Sequence, residues 1–547
     1  MVTGFPRRSD AHRSAATGTG APLAGGGTLH PGRLRAPGLL MSVLAATAPL
    51  MVLAGVVPAV AGLMDVVEVP LVFVVLGVVF GLFSVGYAEL SHHVHNAGAF
   101  YSAVARGLGG TAGAGAALVA LVAYSLMQTA VYGILGHEIA RWSSHVLGID
   151  VVWWVPALAV VGVVGLMGWA SITLSVRLLG LLLLAEAALV MAFDVAALVN
   201  PGAAGLSLAA LSPGAIGSGS IGTALCFCTV AFVGFEQAPV YAEETNRAQF
   251  VVGRVMIVAV GCAAVFFAVS SWAMTVAAGP DRMPAMARQD HSTLLFGLTE
   301  ARLGGFCADL LHLLFVTGIF AAALSFHNVV ARYAFTMGRE GLLPAFLGRT
   351  RRTSGAPAAG SLFQSVVSAL IVGTFAVGDQ GQPGDPTVPE RRLFAWMGNT
   401  GALGIMVLMV VTCLAVIVFF ARRGAARAQC WRLAAAAVAG TALCAIVVRT
   451  VRDFASMVPS REGSPLGWLL PGIIGLAAAV GLVQGLVLRS VRPALHARIG
   501  QGNQAFLAQR AAQPTEGRKR AGLRRLAPAR TRADGGDSAA RAHRPWP

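Results

Sequence analysis

The stretch 42-SVLAATAPLMVLAG-55 lies inside an apolar run, residues 39–64, that is long enough to cross a bilayer, yet Pro49 falls near its middle. A hydrocarbon core is spanned by about 20 apolar helical residues. Proline inside a helix removes one backbone hydrogen bond and clashes with the preceding turn, and lipid supplies no water to replace that bond. Pro49 therefore indicates either a simple kink or a helix that is broken where it faces protein or a wet cavity.

Apolar runs of this kind recur along the chain. The 547 residues are 56% hydrophobic and only 12% charged, whereas soluble domains are about one quarter charged. Twelve runs are candidate spans: 39–64, 70–91, 111–136, 153–175, 178–199, 217–241, 251–278, 303–331, 360–378, 394–420, 431–450 and 466–489. We predict an all-α polytopic membrane protein with twelve transmembrane helices and no cleaved signal peptide.

The formal net charge of +16 would suit a nucleic-acid partner, but its location argues against one. Lys and Arg concentrate in the two tails and in alternate loops, as the positive-inside rule requires when both termini are cytoplasmic. We therefore expect a cell-membrane protein that contacts anionic lipid and no nucleic acid. From the composition we also expect a bacterial source. Its predicted parts are a disordered tail (1–38), a transporter domain (39–489) and a basic disordered tail (490–547).

A second interrupted run changes the interpretation of the first. The sixth span reads 226-CFCTVAFVGFEQAPVYAEE-244, in which Gly234 and Pro239 weaken the helix and Glu236 places a carboxylate within the bilayer. Interrupted spans at corresponding places in two halves indicate a transporter with inverted repeats. Spans 1 and 6 fit two five-helix repeats (spans 1–5 and 6–10) followed by two further helices.

Several motifs resemble those of the amino acid–polyamine–organocation (APC) permeases, which have the LeuT-type fold. They are GFE at 234–236, EET at 243–245, NAGAFYSAVARGLGG at 96–110 and SFHNVVARYAFTMGREGLLP at 325–344. The resemblance covers about residues 38–490. The chain departs from the family where many members have a glycine-rich GSGIF-like stretch and this sequence has TAPLMVLAG. The resemblance implies an amino acid or related amine as substrate.

A zwitterionic substrate needs hydrogen-bond donors for its carboxylate and acceptors for its ammonium. A half-helix that begins after a break offers free N–H groups and a positive dipole end, and one that ends at a break offers carbonyls. We therefore expect the carboxylate near the backbone of Leu50, Met51 and Val52, just after Pro49. The ammonium is expected near the carbonyls of Ala46 and Ala48 and of the stretch from Thr229 to Phe232.

Side chains around these breaks are further candidates for substrate contact. In the family an aromatic residue of span 6 closes over the substrate; Phe232 is the first candidate, and Phe232 and Phe235 flank Gly234. Tyr124, Gln128 and Tyr132 of span 3 follow one another at intervals of four residues, so they form one stripe on a helix. Each of these sets can instead pack in the core or against lipid, and the sequence leaves both interpretations open.

Concentrating a solute requires a coupled ion, and a buried carboxylate is the usual proton carrier. Glu236 matches the family's GFE glutamate, which links substrate to proton in some members. Glu186 lies roughly where some proton-coupled members carry a span-five lysine, and Asp194 lies nearer the end of the same span. We expect proton coupling through Glu236 and Glu186; for each of the three, a purely structural carboxylate remains the alternative.

The sequence thus favours a secondary transporter working by alternating access, most simply a proton symporter. An exchanger of an amino acid for an amine, and a membrane amino-acid sensor that transports nothing, are the alternatives. No nucleophile triad, phosphate-binding glycine loop or ATP-binding domain is recognisable, so we expect no enzyme, no cofactor and no metal. The substrate and the oligomeric state are not readable from the sequence.

Overall fold

The computed structural model describes residues 35–93, 96–170, 174–202, 205–212, 219–351, 355–379, 385–423, 430–458 and 464–502. Its regular elements are helices throughout. Residues 1–34 and 503–547 lie outside the described residues. Most of both predicted tails is therefore not described.

Within the described residues, eleven helical segments are long and apolar enough to cross a bilayer. They are Ala36–Met64, Val69–Ser91, Gly110–Leu147, Gly180–Val199, Thr223–Tyr241, Phe250–Ala278, Gly305–Glu340, Ala358–Val377, Thr387–Arg422, Cys430–Arg452 and Leu466–Val491. A shorter apolar helix, Trp154–Ala170, lies where the fourth span is predicted. With that helix counted as span 4, the elements are numbered spans 1 to 12 in chain order.

The ends of the spans define two faces of the bundle. The terminal face is the one where the chain enters at Arg35 and where the last span ends at Val491; the opposite face carries the loop between spans 1 and 2. A short helix, Ala99–Leu108, connects spans 2 and 3 at the terminal face. Two more, Met283–Asp290 and Leu294–Leu303, connect spans 7 and 8 at the opposite face.

Spans 1 and 6 are the interrupted helices. Span 1 consists of Ala36–Ala46, Pro49–Met51, a π-helical turn Val52–Val56 and Val57–Met64. Span 6 consists of Gly219–Cys228 followed by two 3₁₀ segments, Thr229–Phe232 and Phe235–Tyr241. The sequence prediction that these two spans are discontinuous is confirmed.

Small residues bring the helices close together. Gly481 of span 12, for example, lies against the backbone of Ala114 in span 3, where a Cβ atom would come within 2.5 Å of the Ala114 carbonyl oxygen. In lipid, helices associate through van der Waals contact and not through a hydrophobic driving force, so small residues at the interface permit close backbone approach. Span 3 packs in this way against spans 8, 10 and 12 and lies at the centre of the bundle.

The chain continues in ordered form beyond the last span. A short helix, Pro493–His496, follows span 12, and the Ile499 side chain is only 4% exposed. The backbone N–H of Gly500 donates to the Glu340 carboxylate at the end of span 8, over 2.9 Å. The region assigned from sequence to a disordered tail thus begins with a segment that is packed on the terminal face.

Candidate functional site

The break in span 1 lies immediately before Pro49. The first half-helix ends at Ala46, and Ala48 has a left-handed backbone (φ 43°), a conformation that few residues other than glycine adopt. Pro49 then occupies the first position of the next helical segment, where its missing N–H would have no partner in any case. The proline therefore starts the second half of span 1 and does not interrupt a regular helical turn.

The break in span 6 faces the break in span 1. Gly234 has a φ of 133°, and a Cβ atom there would lie 2.9 Å from the Ala46 Cβ and 3.0 Å from the Thr47 backbone nitrogen. Both the backbone conformation and this contact require glycine. Because spans 1 and 6 run in opposite directions, the end of one half-helix lies beside the start of the other. The predicted pairing of the two interruptions is therefore realised in space.

Glu186 of span 5 reaches into the break of span 1. The Leu50 backbone N–H donates to the Glu186 Oε1 atom over 2.7 Å, and the side chain is buried. The other carboxylate oxygen lies beside Gly318 of span 8, where a Cβ atom would approach it to 2.7 Å. The first free donor of the half-helix, which we expected to meet a substrate carboxylate, is thus occupied by a protein carboxylate.

Glu236 lies in the break of span 6 and is fully buried. Its Oε2 atom accepts the Gly234 backbone N–H over 2.8 Å, and its Oε1 atom accepts the Tyr124 hydroxyl over 2.8 Å. The Tyr124 ring in turn stacks on Tyr333 of span 8, with ring centroids 5.5 Å apart. The carboxylate therefore links the interrupted span 6 to spans 3 and 8.

The two phenylalanines beside Gly234 are packed into an aromatic cluster. Phe232 lies 5.0 Å from Phe80 and 5.9 Å from Phe267, measured between ring centroids. Phe235 lies 5.4 Å from Phe80 and 6.0 Å from Phe83. Both phenylalanines are 1% exposed. They connect the broken span 6 to spans 2 and 7, so any movement of span 6 must carry or reshape this cluster.

The rest of the span 3 stripe forms a second polar group. The Gln128 Nε2 atom donates to the Tyr132 hydroxyl over 2.6 Å and lies 3.0 Å from the His327 Nδ1 atom of span 8. The His327 Nε2 atom lies 2.7 Å from the Ser361 hydroxyl of span 9. Only Tyr124 of the stripe contacts the break in span 6 directly; Gln128 and Tyr132 instead join spans 3, 8 and 9.

Two further candidates have local partners. The Thr229 hydroxyl donates to the Leu225 carbonyl over 2.8 Å, within its own helix. Asp194 accepts the Ser270 hydroxyl over 2.7 Å, and its second oxygen is buried without a partner. Ser270 belongs to span 7, so Asp194 connects spans 5 and 7 away from the two breaks.

Residues not singled out from the sequence complete the polar surroundings of the breaks. The Ser325 hydroxyl contacts both the Ser42 carbonyl (3.3 Å) and the Gln237 side-chain oxygen (3.2 Å). The Gln237 Nε2 atom and the hydroxyls of Tyr87 and Tyr333 are buried without a partner. Gln237 directly follows Glu236 in an interrupted span, a signal that could have identified it. Tyr87 lies in an unbroken apolar run and gives no such signal.

Ion pairs fasten span 6 to span 8 at the terminal face. Arg332 pairs with Glu244 over 2.6 Å, and Arg339 pairs with Glu243 over 2.6 Å. The four side chains are at most 13% exposed. The EET motif thus meets the arginines of the span 8 motif, and the two ion pairs join these spans at the terminal face.

Taken together, the two breaks offer oriented backbone groups and two buried carboxylates at the centre of a membrane-spanning bundle. Such an arrangement can bind a small zwitterion and a proton, and it holds no group arranged for covalent chemistry among the described residues. The described group of His and carboxylate side chains that is close enough to hold a metal lies elsewhere, at the opposite face.

Comparison with known proteins agrees with this geometry. A family model described as Amino acid permease matches residues 40–479, from within span 1 to within span 12. No curated protein matches the chain closely enough to serve as a relative. The match covers most of the chain, and the family is one of transporters and not of enzymes. The chain therefore belongs to the amino acid permeases of the APC superfamily.

Proposed function

We propose that this protein is a secondary active transporter that moves an amino acid or a related amine together with a proton, by alternating access. The observation that carries the proposal is the hydrogen bond from the Leu50 N–H to the buried Glu186 carboxylate at the break of span 1. A carboxylate already occupies the place that suits the carboxylate of an amino acid. Substrate and Glu186 therefore compete for one helix N-terminus.

This competition supplies a mechanism for coupling. A substrate carboxylate that takes the Leu50 N–H leaves Glu186 buried beside it, and two like charges at close range disfavour one another. Protonation of Glu186 removes the repulsion. Binding of the substrate and binding of the proton consequently favour each other, which is the thermodynamic requirement for symport.

Glu236 has the complementary position in span 6. Its carboxylate holds the break through the Gly234 N–H and also holds Tyr124 of span 3. Protonation of Glu236 weakens both hydrogen bonds, because hydrogen bonds to ionised groups are stronger than those to neutral groups. We assign Glu236 the role of coupling proton transfer to the movement of span 6.

The remaining substrate contacts in this proposal are backbone groups for the ammonium and side chains that surround it. The ammonium lies near the carbonyls of Ala46 and Ala48 and near the 3₁₀ turn that starts at Thr229. Met51 and Val52 line the second half of span 1, and Phe232 together with Phe235 covers the site from span 6. Gln237 and Tyr333 offer polar atoms that are buried and have no hydrogen-bond partner in the structure.

The driving force is sufficient for accumulation. One elementary charge moving through a potential of about 100 mV releases about 2.3 kcal/mol. Since about 1.4 kcal/mol corresponds to a tenfold concentration ratio, one proton per substrate supports a gradient of somewhat under one hundredfold. We place both termini in the cytoplasm, so that the ion pairs of Arg332 and Arg339 close the cytoplasmic side.

Reconstitution in liposomes tests the proposal. A symporter accumulates a labelled amino acid when only a pH gradient is imposed across empty liposomes. An exchanger takes up label only when the lumen is preloaded with substrate or with the corresponding amine. A protein that binds the amino acid but gives no uptake under either condition is a sensor, and that result would overturn transport altogether.

A further inference from the structure

A compact group of titratable side chains lies at the opposite face, remote from the two breaks. His137 and Glu138 lie near the end of span 3. Glu390 lies in the π-helical segment Thr387–Phe394, which begins span 10. The His312 Nε2 atom of span 8 lies 2.9 Å from the Glu138 Oε2 atom. Three separate elements thus direct two imidazoles and two carboxylates to one place.

The ligand atoms of the first three residues are close enough to share an ion. One nitrogen of His137 and one oxygen each of Glu138 and Glu390 lie within 4.8 Å of one another. Atoms so arranged surround a common point at no more than about 2.8 Å, and Zn²⁺ binds such ligands at about 2.0–2.2 Å. Side-chain movements of less than about 1 Å therefore suffice to form the coordination sphere.

The group is incompletely satisfied without an ion. The His137 side chain is 4% exposed, and its Nδ1 atom is buried without a hydrogen-bond partner. Its Nε2 atom lies 3.4 Å from the Glu390 carboxylate. Nε2 is therefore the ring nitrogen that faces the carboxylates, and coordination of a metal ion through Nε2 would offset part of the desolvation of the ring and of the adjacent carboxylates.

Two arginines lie near the carboxylates of this group. The guanidinium of Arg141 lies 3.3 Å from Glu138, and the positive charge of Arg391 acts on Glu390. The Glu138 side chain is 1% exposed whereas that of Arg141 is 35% exposed. Arg141 can therefore turn into solvent and leave Glu138 to the incoming ion.

A route of entry adjoins the group. A cavity of about 360 Å³ opens beside His312 and is lined by three further acids: Asp290, Glu300 and Asp309. Acidic walls raise the local concentration of cations. His312 forms part of this cavity and also touches Glu138, so the His312 side chain lies between the cavity and the ligand atoms.

We propose that His137, Glu138 and Glu390 form a binding site for a divalent transition-metal ion of the Zn²⁺ type. His312 adjoins this site through its contact with Glu138. Mixed imidazole and carboxylate ligands suit Zn²⁺ and not Mg²⁺, which prefers six oxygens. The site joins span 3 to the first turns of span 10. Bound metal fastens these two elements at the opposite face.

Zinc binding to the purified full-length protein, freed of its affinity tag and stripped with a chelator, tests the proposal. Competition against a chromophoric chelator should show one Zn²⁺ per chain and no competition from Mg²⁺. His137→Ala and Glu390→Gln should each weaken zinc binding at least about tenfold, a loss that even supporting residues of a metal site produce. His145→Ala, which changes an exposed histidine of the adjacent turn, should bind as the wild type does.

The melting temperature of each variant without metal shows whether it is folded. If a variant unfolds, the extended X-ray absorption fine structure of zinc bound to the wild type decides, because it detects imidazole ligands directly. At least one imidazole ligand supports the site as described. A wild-type spectrum without imidazole, or equal zinc affinity in the wild type and in folded His137→Ala, would overturn the proposal.

Discussion

The backbone N–H of Leu50 donates to the Glu186 carboxylate across 2.7 Å, although the two residues are 136 positions apart. The donor is the first available N–H after the break in span 1, since Pro49 has none. A hydrogen bond between a helix N-terminus and a carboxylate is favourable both as a bond and through the helix dipole. Under the proposed function, this contact makes substrate binding at the break dependent on the protonation of Glu186 in span 5.

Replacing Glu186 by Gln should remove the pH dependence of substrate binding. In the wild type the substrate affinity should fall as pH rises, because ionised Glu186 competes with the substrate carboxylate for the Leu50 N–H. Glutamine keeps an oxygen to accept that N–H but carries no charge at any pH. Dissociation constants measured over a series of pH values check this. Asp194→Asn, in the same span, is the matched control and should retain the wild-type pH dependence.

The Glu236→Gln variant should lose accumulation driven by a pH gradient while it keeps some exchange. An amide accepts the hydroxyl of Tyr124 as a carboxylate does, yet it cannot bind and release a proton. Uptake into liposomes, with and without preloaded substrate, measures both activities. Unchanged pH-driven uptake would show that Glu236 is only structural. The Tyr124→Phe variant, which removes one of the two hydrogen bonds of Glu236 and spares the carboxylate, should reduce pH-driven uptake without abolishing it.

A methyl group at Gly234 should destabilise the protein. The Gly234→Ala side chain would meet Ala46 and Thr47 at 2.9–3.0 Å and would impose an unfavourable φ of 133°. Strained backbone of this kind costs about 1–3 kcal/mol per residue. The melting temperature of the purified variant should fall accordingly. Gly261→Ala places a methyl group in open space on the regular helix of span 7, and its melting temperature should stay at or above that of the wild type.

The Pro49→Ala variant should lose substrate affinity more than membrane insertion. Alanine permits a continuous helix across Thr47 and Ala48, which would consume the N–H groups that the break leaves free. The loss of one hydrogen bond to a charged group corresponds to about 1.5–3 kcal/mol, or roughly a tenfold to hundredfold weaker affinity. The ligand-induced rise in melting temperature compares the variants, and the yield of membrane-inserted protein measures insertion.

Pro58 offers the control for this experiment. It stands at the start of the regular helix Val57–Met64 in the same span and is buried. Pro58→Ala changes the same residue type without altering the break, so its affinity should equal that of the wild type. If Pro49→Ala also binds normally, Pro49 is only a kink.

Much of the fold was predictable because lipid imposes one requirement on every span. Each must be apolar for about 20 residues and must satisfy its own backbone hydrogen bonds. Hydropathy alone therefore located most spans to within a few residues, but it missed that span 3 continues to Leu147, that span 8 continues to Glu340 and that span 10 begins at Thr387. The interruptions in spans 1 and 6 were also readable, because Pro49, Gly234 and Glu236 violate that requirement. A violation within lipid requires a compensating neighbour, which made these residues candidates for a site.

The identity of the neighbours was decided only by the tertiary structure. The sequence around Glu186 does not indicate that Leu50 and Gly318 are its neighbours. Tyr87 and His327 likewise resemble ordinary core residues of apolar helices. The same holds for His137 and Glu390, which are far apart in the chain. Spacing along a helix determines which side chains share its face. Which other helix that face contacts depends on how the helices pack. The sequence thus determined where the chain enters the membrane and where its helices break, and the packing decided which carboxylate meets which break.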